Sequence, residues 1–218
     1  MNVDYAIARE KRVDYRNQLN KRTKEVLKTI GKYLPSPQMI MDLGTAEGKM
    51  LAYLKKAFPS AFCLGVDSSF PLLLYGKKRS SDLSFIWAEA ENLKFIQDET
   101  FDVIIAAAII EHLVSPSRML REAYRLLKPK GIIILTTPNP FWEKIARVLG
   151  FIKGEHNYVM FLSQLVDMCR KENFLILEAY GFMVSPIGIW KEDKIESFFK
   201  KVKLDKFLLN QMVVAQKP

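Results

Sequence analysis

Three acids stand at matching points along the chain. Asp42 lies at the end of the apolar stretch Met39–Leu43, Asp67 directly follows Phe62–Val66, and Glu89 comes just after Phe85–Trp87. A carboxylate at the end of a strand can accept hydrogen bonds from both hydroxyls of a ribose. Between the first two acids runs Asp42-Leu43-Gly44-Thr45-Ala46-Glu47-Gly48. Gly44 and Gly48 permit a tight turn and let the backbone approach a ligand closely. The spacing is neither the G-x-G-x-x-G of a pyrophosphate cradle nor the G-x-x-x-x-G-K-[ST] of a phosphate loop. Two histidines, His112 in Glu111-His112-Leu113 and His156 in Glu155-His156-Asn157-Tyr158, could take a proton near neutral pH. Cys63 and Cys169 each sit in an apolar stretch and read as buried reduced thiols. So few cysteines and histidines make no zinc site, and no metal is expected.

Three acids without a phosphate loop suit a ligand that is cationic and contains adenosine. S-adenosylmethionine meets both conditions; NAD and ATP do not. Positioning these acids requires strands that alternate with helices. Residues 5–34 carry a helical stripe (Val26, Leu27, Ile30, Leu34) that Pro35 and Pro37 end. Strands are expected at Met39–Leu43, Phe62–Val66, Phe85–Trp87 and Phe101–Ile110, the last a run apolar enough to be buried on both faces. A helix starts at Ser115-Pro116 and ends at Lys128-Pro129-Lys130-Gly131. Gly131–Thr137 is a fifth strand. Beyond it come a helix from Phe141 to Ile152, one capped by Ser163, and a strand at Phe174–Tyr180. A charged helix within residues 192–206 and a last strand at Gln211–Gln216 follow. This is an α/β, Rossmann-like pattern with a mostly parallel sheet covered on both sides.

The chain has 218 residues and a formal net charge of +9, 49% of it hydrophobic. Such a length supports one substantial core and not two full-size domains. No apolar run reaches a membrane span and the first residues are charged, so a cytoplasmic protein is expected. The charge is uneven. Residues 1–34 contribute +5 and residues 191–218 contribute +3, while the middle is nearly neutral. Basic ends could meet nucleic acid or an anionic membrane surface, or could be the wet faces of amphipathic helices.

The sequence resembles the class I S-adenosylmethionine-dependent methyltransferases, of the type found in ubiquinone and menaquinone biosynthesis. The resemblance runs from about Met39 to Gln216. It rests on M-D-L-G-T-A-E-G, L-G-V-D-S-S, A-E-A-E-N-L-K-F, F-D-V-I-I-A-A-A-I-I-E-H-L, R-E-A-Y-R-L-L-K-P-K-G and T-T-P-N-P. E-H-N-Y-V-M-F, K-E-N-F and the closing V-V-A-Q-K-P match as well. It implies a seven-stranded sheet whose last strand is antiparallel, with S-adenosylmethionine as cofactor and S-adenosylhomocysteine as product. It implies that Asp42, Gly44, Thr45 and Gly48 line the methionine and ribose part of the cofactor. Asp67 would hold the ribose hydroxyls with Ser68 beside the adenine, Glu89 and Ala90 would flank the adenine, and Ala106 would lie near the methionine. The departures are Ala46 for the usual middle glycine, Glu89 for Asp, Lys94 for Pro, and Ala108 where many relatives carry a polar residue.

The resemblance also puts His112 and His156 near the substrate mouth, as candidate catalytic residues. Residues 1–34 read as a helical lid over a domain of residues 35–218, with a substrate lid at 141–160. Phe141, Trp142, Ile145, Leu149, Phe151 and Ile152, with Tyr5 or Tyr15, would cover a small apolar or aromatic acceptor. Removing residues 1–20 should then abolish turnover and spare cofactor affinity. RNA or protein as acceptor, or a non-catalytic cofactor-binding subunit, are the alternatives. Nucleic acid is disfavoured because the end of the fourth strand reads A-A-A-I-I-E-H-L and lacks the Pro-Pro clamp of enzymes that methylate flipped bases.

Overall fold

A computed structural model describes residues 3–148 and 160–218. Seven strands form one sheet in the order β3-β2-β1-β4-β5-β7-β6. They are β1 Met39–Leu43, β2 Phe62–Asp67, β3 Ser84–Trp87, β4 Phe101–Ala107, β5 Leu127–Pro138, β6 Leu175–Phe182 and β7 Asn210–Gln216. Neighbours from β3 through β5 pair in parallel, and β7 runs antiparallel between β5 and β6. The chain winds outward through β1, β2 and β3, then crosses to β4 on the other side of β1. That reversal opens a crevice at the carboxyl ends of β1 and β4, where open α/β sheets bind ligands.

Burial on both faces explains the apolar strands. In β4, Ile104 and Ala106 join the core beneath α5 (Pro116–Leu126) and α7 (Leu162–Lys171), whereas Val103 and Ile105 join the one beneath α2 (Val13–Tyr33) and α3 (Lys49–Ala57). The strand stops at Ala107, short of the expected Ile110, because Ala108 adopts φ +54° and turns the chain into a 3-10 turn, Ile110–His112. β5 begins at Leu127, earlier than Gly131, since Leu127 pairs with Phe101 across a bulge.

The expected N-terminal helix is two: α1 (Val3–Glu10) and α2, broken at Lys11-Arg12. Helix α4 (Phe70–Arg79) has no counterpart in the sequence reading, as Leu72-Leu73-Leu74 is a run without helical spacing; Leu72, Leu73 and Gly76 are its buried residues. Ser115 does precede α5, though its side chain makes no cap. Phe161, not Ser163, stands at the N-cap of α7, and its N–H donates to Gln164 Oε1 at 2.8 Å. Helix α6 (Pro140–Val148) realises the first part of the expected 141–152 helix; Leu149, Phe151 and Ile152 lie outside the described residues. Helix α8 (Glu192–Lys201) and a 3-10 turn at Asp205–Phe207 precede β7. Both cysteines are free and buried, and burial pushes their thiols up to about 11 at Cys63 and about 12 at Cys169.

Candidate active site

The turn after β1 is built from backbone conformations that side chains resist. Gly44, Ala46 and Gly48 take φ +72°, +51° and +74°. Space enforces two of them as well: a Cβ on Gly44 would fall 2.7 Å from Ile109 Cδ1, and one on Gly48 2.6 Å from Phe85 Cζ. The N–H groups of Gly44 and Thr45 both donate to the Val66 carbonyl, at 2.8 and 3.1 Å, which stitches the turn to β2. Ala46 is the single member of the trio that pays the left-handed cost of a Cβ.

Asp67, half-buried at the end of β2, is aimed from two sides. Its Oδ2 accepts the Ala46 N–H and its Oδ1 the Ser69 N–H, both at 2.8 Å. Each carboxylate oxygen has a further lone pair, so two hydroxyls could still be held. Asp42 is different in kind. It is 3% exposed and accepts the Thr45 hydroxyl at 2.7 Å, so it props the turn from beneath. Burial, with the Asp67 charge adding to it against the Thr45 hydrogen bond, pushes its carboxyl up to about 7.

Glu89 is exposed, and its carbonyl accepts the Asn92 N–H at 3.0 Å in the turn beyond β3. Ser68 is exposed too, and its carbonyl accepts Trp87 Nε1–H at 2.9 Å. Trp87 is 66% exposed and packs at 5.5 Å, ring centre to ring centre, on the half-exposed Phe70. The trace of this pair in the sequence is an aromatic three residues beyond β2 and another at the end of β3. Two expected ligand neighbours are core residues. Ala90 is buried, and Ala106 is fully buried between Leu43 and Leu135. Ala107 ends that strand and Ala108 follows it, both half-buried.

His112 closes the 3-10 turn after β4 with an exposed side chain. His156 lies outside the described residues. Glu111 is 2% exposed and accepts the Thr137 hydroxyl at 3.3 Å, so it anchors the turn to β5. Nearby is an arginine that the sequence reading left among the basic residues of a wet helix. Arg22 on α2 donates through Nη2 to Asn210 Oδ1 at 3.0 Å, while its buried Nε has no hydrogen-bond partner among the described residues. Burial pulls its ordinary value down, against the favourable charge of Glu111. The Thr136 hydroxyl on β5 is likewise buried without a hydrogen-bond partner among the described residues.

The N-terminal segment is tied to the turn. Glu47, inside the turn, pairs with Arg9 of α1 and with Lys49 at 3.4 Å; Glu10 pairs with Lys49 at 2.9 Å and with Arg79 of α4 at 2.8 Å. Tyr15 lies under the Arg9 guanidinium, 4.8 Å from its centre, and burial pushes the phenol up to about 12. Of Tyr5, the other aromatic expected in the lid, only the backbone, within α1, is described. Among the described residues no cluster of three metal-ligating side chains occurs.

A family model described as a methyltransferase domain matches residues 15–179. The demethylmenaquinone methyltransferase of Thermotoga maritima is 32% identical over 179 residues, covering 71% of this chain and 78% of that one. A malonyl-[acyl-carrier protein] O-methyltransferase from a Marinomonas species is 26% identical over 194 residues, covering 85% of this chain and 70% of its own. In fold, phosphoethanolamine N-methyltransferase 2 of Haemonchus contortus, solved in complex with S-adenosyl-L-methionine, superposes with a TM-score of 0.64 at 17% identity. That match covers 89% of this chain and 52% of the other.

Proposed function

The chain belongs to the class I S-adenosylmethionine-dependent methyltransferases of the ubiquinone and menaquinone type, and on that premise we propose a small apolar or aromatic molecule as its methyl acceptor. The observation that carries the site assignment is the pairing of the Gly44–Gly48 turn with Asp67. The turn presents backbone free of Cβ atoms at two points, and the carboxylate beside it is oriented by the N–H groups of Ala46 and Ser69. The nearest cations, Arg9 and Lys49, are spent on Glu47 and Glu10, which suits a nucleoside without phosphates. The residues present therefore fit the cofactor. Asp67 would hold the ribose, Ser68 and Glu89 would border the adenine with Trp87 and Phe70 close by, and Gly44 and Thr45 would lie along the amino-acid part.

When bound, S-adenosylmethionine supplies an electrophilic methyl group on a sulfonium whose leaving group is a neutral thioether. The protein's task is to hold the acceptor atom in line and exclude water, and such positioning can supply most of the acceleration. Where the acceptor must lose a proton, His112 is the candidate base on the described residues. Phe141 and Trp142, part-exposed at the start of α6 directly after β5, support an apolar acceptor.

The test is transfer of radiolabelled methyl from the cofactor to demethylmenaquinone in its reduced form, small carboxylic acids, total RNA and mixed protein in parallel. Label in an extractable small molecule is expected. Label confined to acid-precipitated RNA or protein would overturn the reading. His112→Gln separates chemistry from binding: a fall in kcat with KM unchanged is the expected signature of a base.

A further inference from the structure

Between Trp190 and Phe207 the chain carries six lysines and four acids. The four acids are all engaged inside the molecule. Glu192 accepts the N–H groups of Val184 and Ser185 at 2.8 and 3.1 Å, and Asp205 that of Gly181 at 3.0 Å. Glu196 accepts the Met183 N–H at 2.7 Å and pairs with Lys21 at 3.0 Å. Asp193 pairs with Lys21 and Lys24 at 2.8 and 2.6 Å, which holds its carboxyl down at about 2. Apart from Asp193, paired though 65% exposed, and Ser197, the outer surface is left with lysines and apolar side chains.

On α8 the exposed positions Lys194, Ser197, Phe198 and Lys201, continued by Val202, follow the i, i+3, i+4, i+7, i+8 spacing of one helix face. Glu196 is buried on the opposite side. Phe198 is 61% exposed, Trp190 just before the helix is 82% exposed with Lys191 at 3.7 Å over its ring, and Phe207 just after is 47% exposed. A face that mixes exposed aromatics with outward lysines, with Glu192, Glu196 and Asp205 bonded to backbone N–H groups and the exposed Asp193 paired with Lys21 and Lys24, has the composition of a segment lying in a membrane interface. Aromatic rings favour the headgroup level and lysines the anionic surface.

We propose that residues 190–207 form an interfacial docking surface for an anionic lipid bilayer. The occupant is argued from charge complementarity, and it stands whichever acceptor the enzyme takes. The surface adjoins the site. Asn139, at the carboxyl end of β5, donates to the carbonyls of Lys206 and Leu208 at 2.8 Å, and Trp142 Nε1–H donates to that of Phe207. Docking through this face places the carboxyl end of β5 next to the lipid. No described helix is long and apolar enough to cross a membrane.

The experiment is co-sedimentation of the full chain with vesicles of phosphatidylglycerol or of phosphatidylcholine, with S-adenosylhomocysteine affinity as the control for folding. Pelleting with phosphatidylglycerol alone is expected, reversed when salt rises from about 0.1 M to about 1 M, where the screening length is only about 3 Å. Trp190→Ala with Phe198→Ala should abolish it. Lys194→Glu with Lys201→Glu should weaken it by about fivefold or more for each lysine lost. Absence of pelleting, or pelleting unchanged in both double variants, would overturn the proposal. So would light scattering that finds a dimer in the wild type and a monomer in the variants, since a second copy would then cover the face.

Discussion

Asp42 and Ala46 sit four residues apart and carry opposite kinds of strain. The folded state holds the Asp42 carboxyl near 7, above its ordinary value of 3.8, chiefly through burial. The unfolded chain therefore loses this proton first. Between about pH 4 and pH 7 the native state binds more protons, so this group costs stability as pH rises, and the full cost stands above 7. Asp42→Asn removes the ionisation. Its stability relative to wild type should move in its favour by up to about 4 kcal/mol between pH 4 and pH 8 in chemical denaturation. A constant difference would show that the carboxyl titrates normally. At Ala46 the cost is conformational. Ala46→Gly relieves φ +51° at some expense in unfolded-state entropy, for a net gain of about 0.5–1 kcal/mol and a Tm higher by roughly 1–4 °C. Legibility at this scale followed sequence context. Asp67 could be read because it ends an apolar strand nineteen residues past Gly48. Arg22 could not, since its neighbours Lys21 and Lys24 make it look like one more solvated cation. Only its hydrogen bond to Asn210 and the charge of Glu111 set it apart.

At the scale of elements, strands were easier to place than helices. Doubly buried strands need continuous apolar runs, and β1, β2 and β4 have them. Helix α4 depends instead on close approach. Gly76 packs on the turn after β1 so tightly that an added Cβ would lie 2.6 Å from the Glu47 carbonyl oxygen. Gly76→Ala should therefore destabilise by about 1–3 kcal/mol and weaken S-adenosylhomocysteine binding with it, since the atom that must yield is backbone of the cofactor turn. Unchanged affinity in a titration of this variant would separate α4 from the site. The N-terminal helices bear on the same turn. Read from sequence, residues 1–20 are a lid whose loss spares the cofactor. Arg9 and Glu10 instead clamp Glu47, Lys49 and Arg79. A chain beginning at residue 21 is expected to lose cofactor affinity as well as turnover, and calorimetry of that truncation distinguishes the two.

The whole molecule divides its excess charge in two ways that the sequence could not separate. The N-terminal cations Arg9, Lys21 and Lys24 are paired within the structure, whereas Lys194 and Lys201 near the other end point outward beside exposed aromatics. Strand order was legible only as a class, because alternating strands and helices imply a parallel sheet without saying where the reversal falls. Pairing of β4 with β1 puts it beside Gly44 and Asp67, and that juxtaposition carries the functional reading. The most direct measurement is calorimetric titration of wild type and Asp67→Asn with S-adenosylmethionine and S-adenosylhomocysteine. Asparagine keeps the shape and an acceptor for the Ala46 or Ser69 N–H but removes the charge that the ribose hydroxyls would meet. Wild type should bind both ligands, and the variant should bind each about thirtyfold more weakly. Equal affinity in the two proteins, or no binding by wild type, would contradict the placement of the cofactor at the Gly44–Gly48 turn.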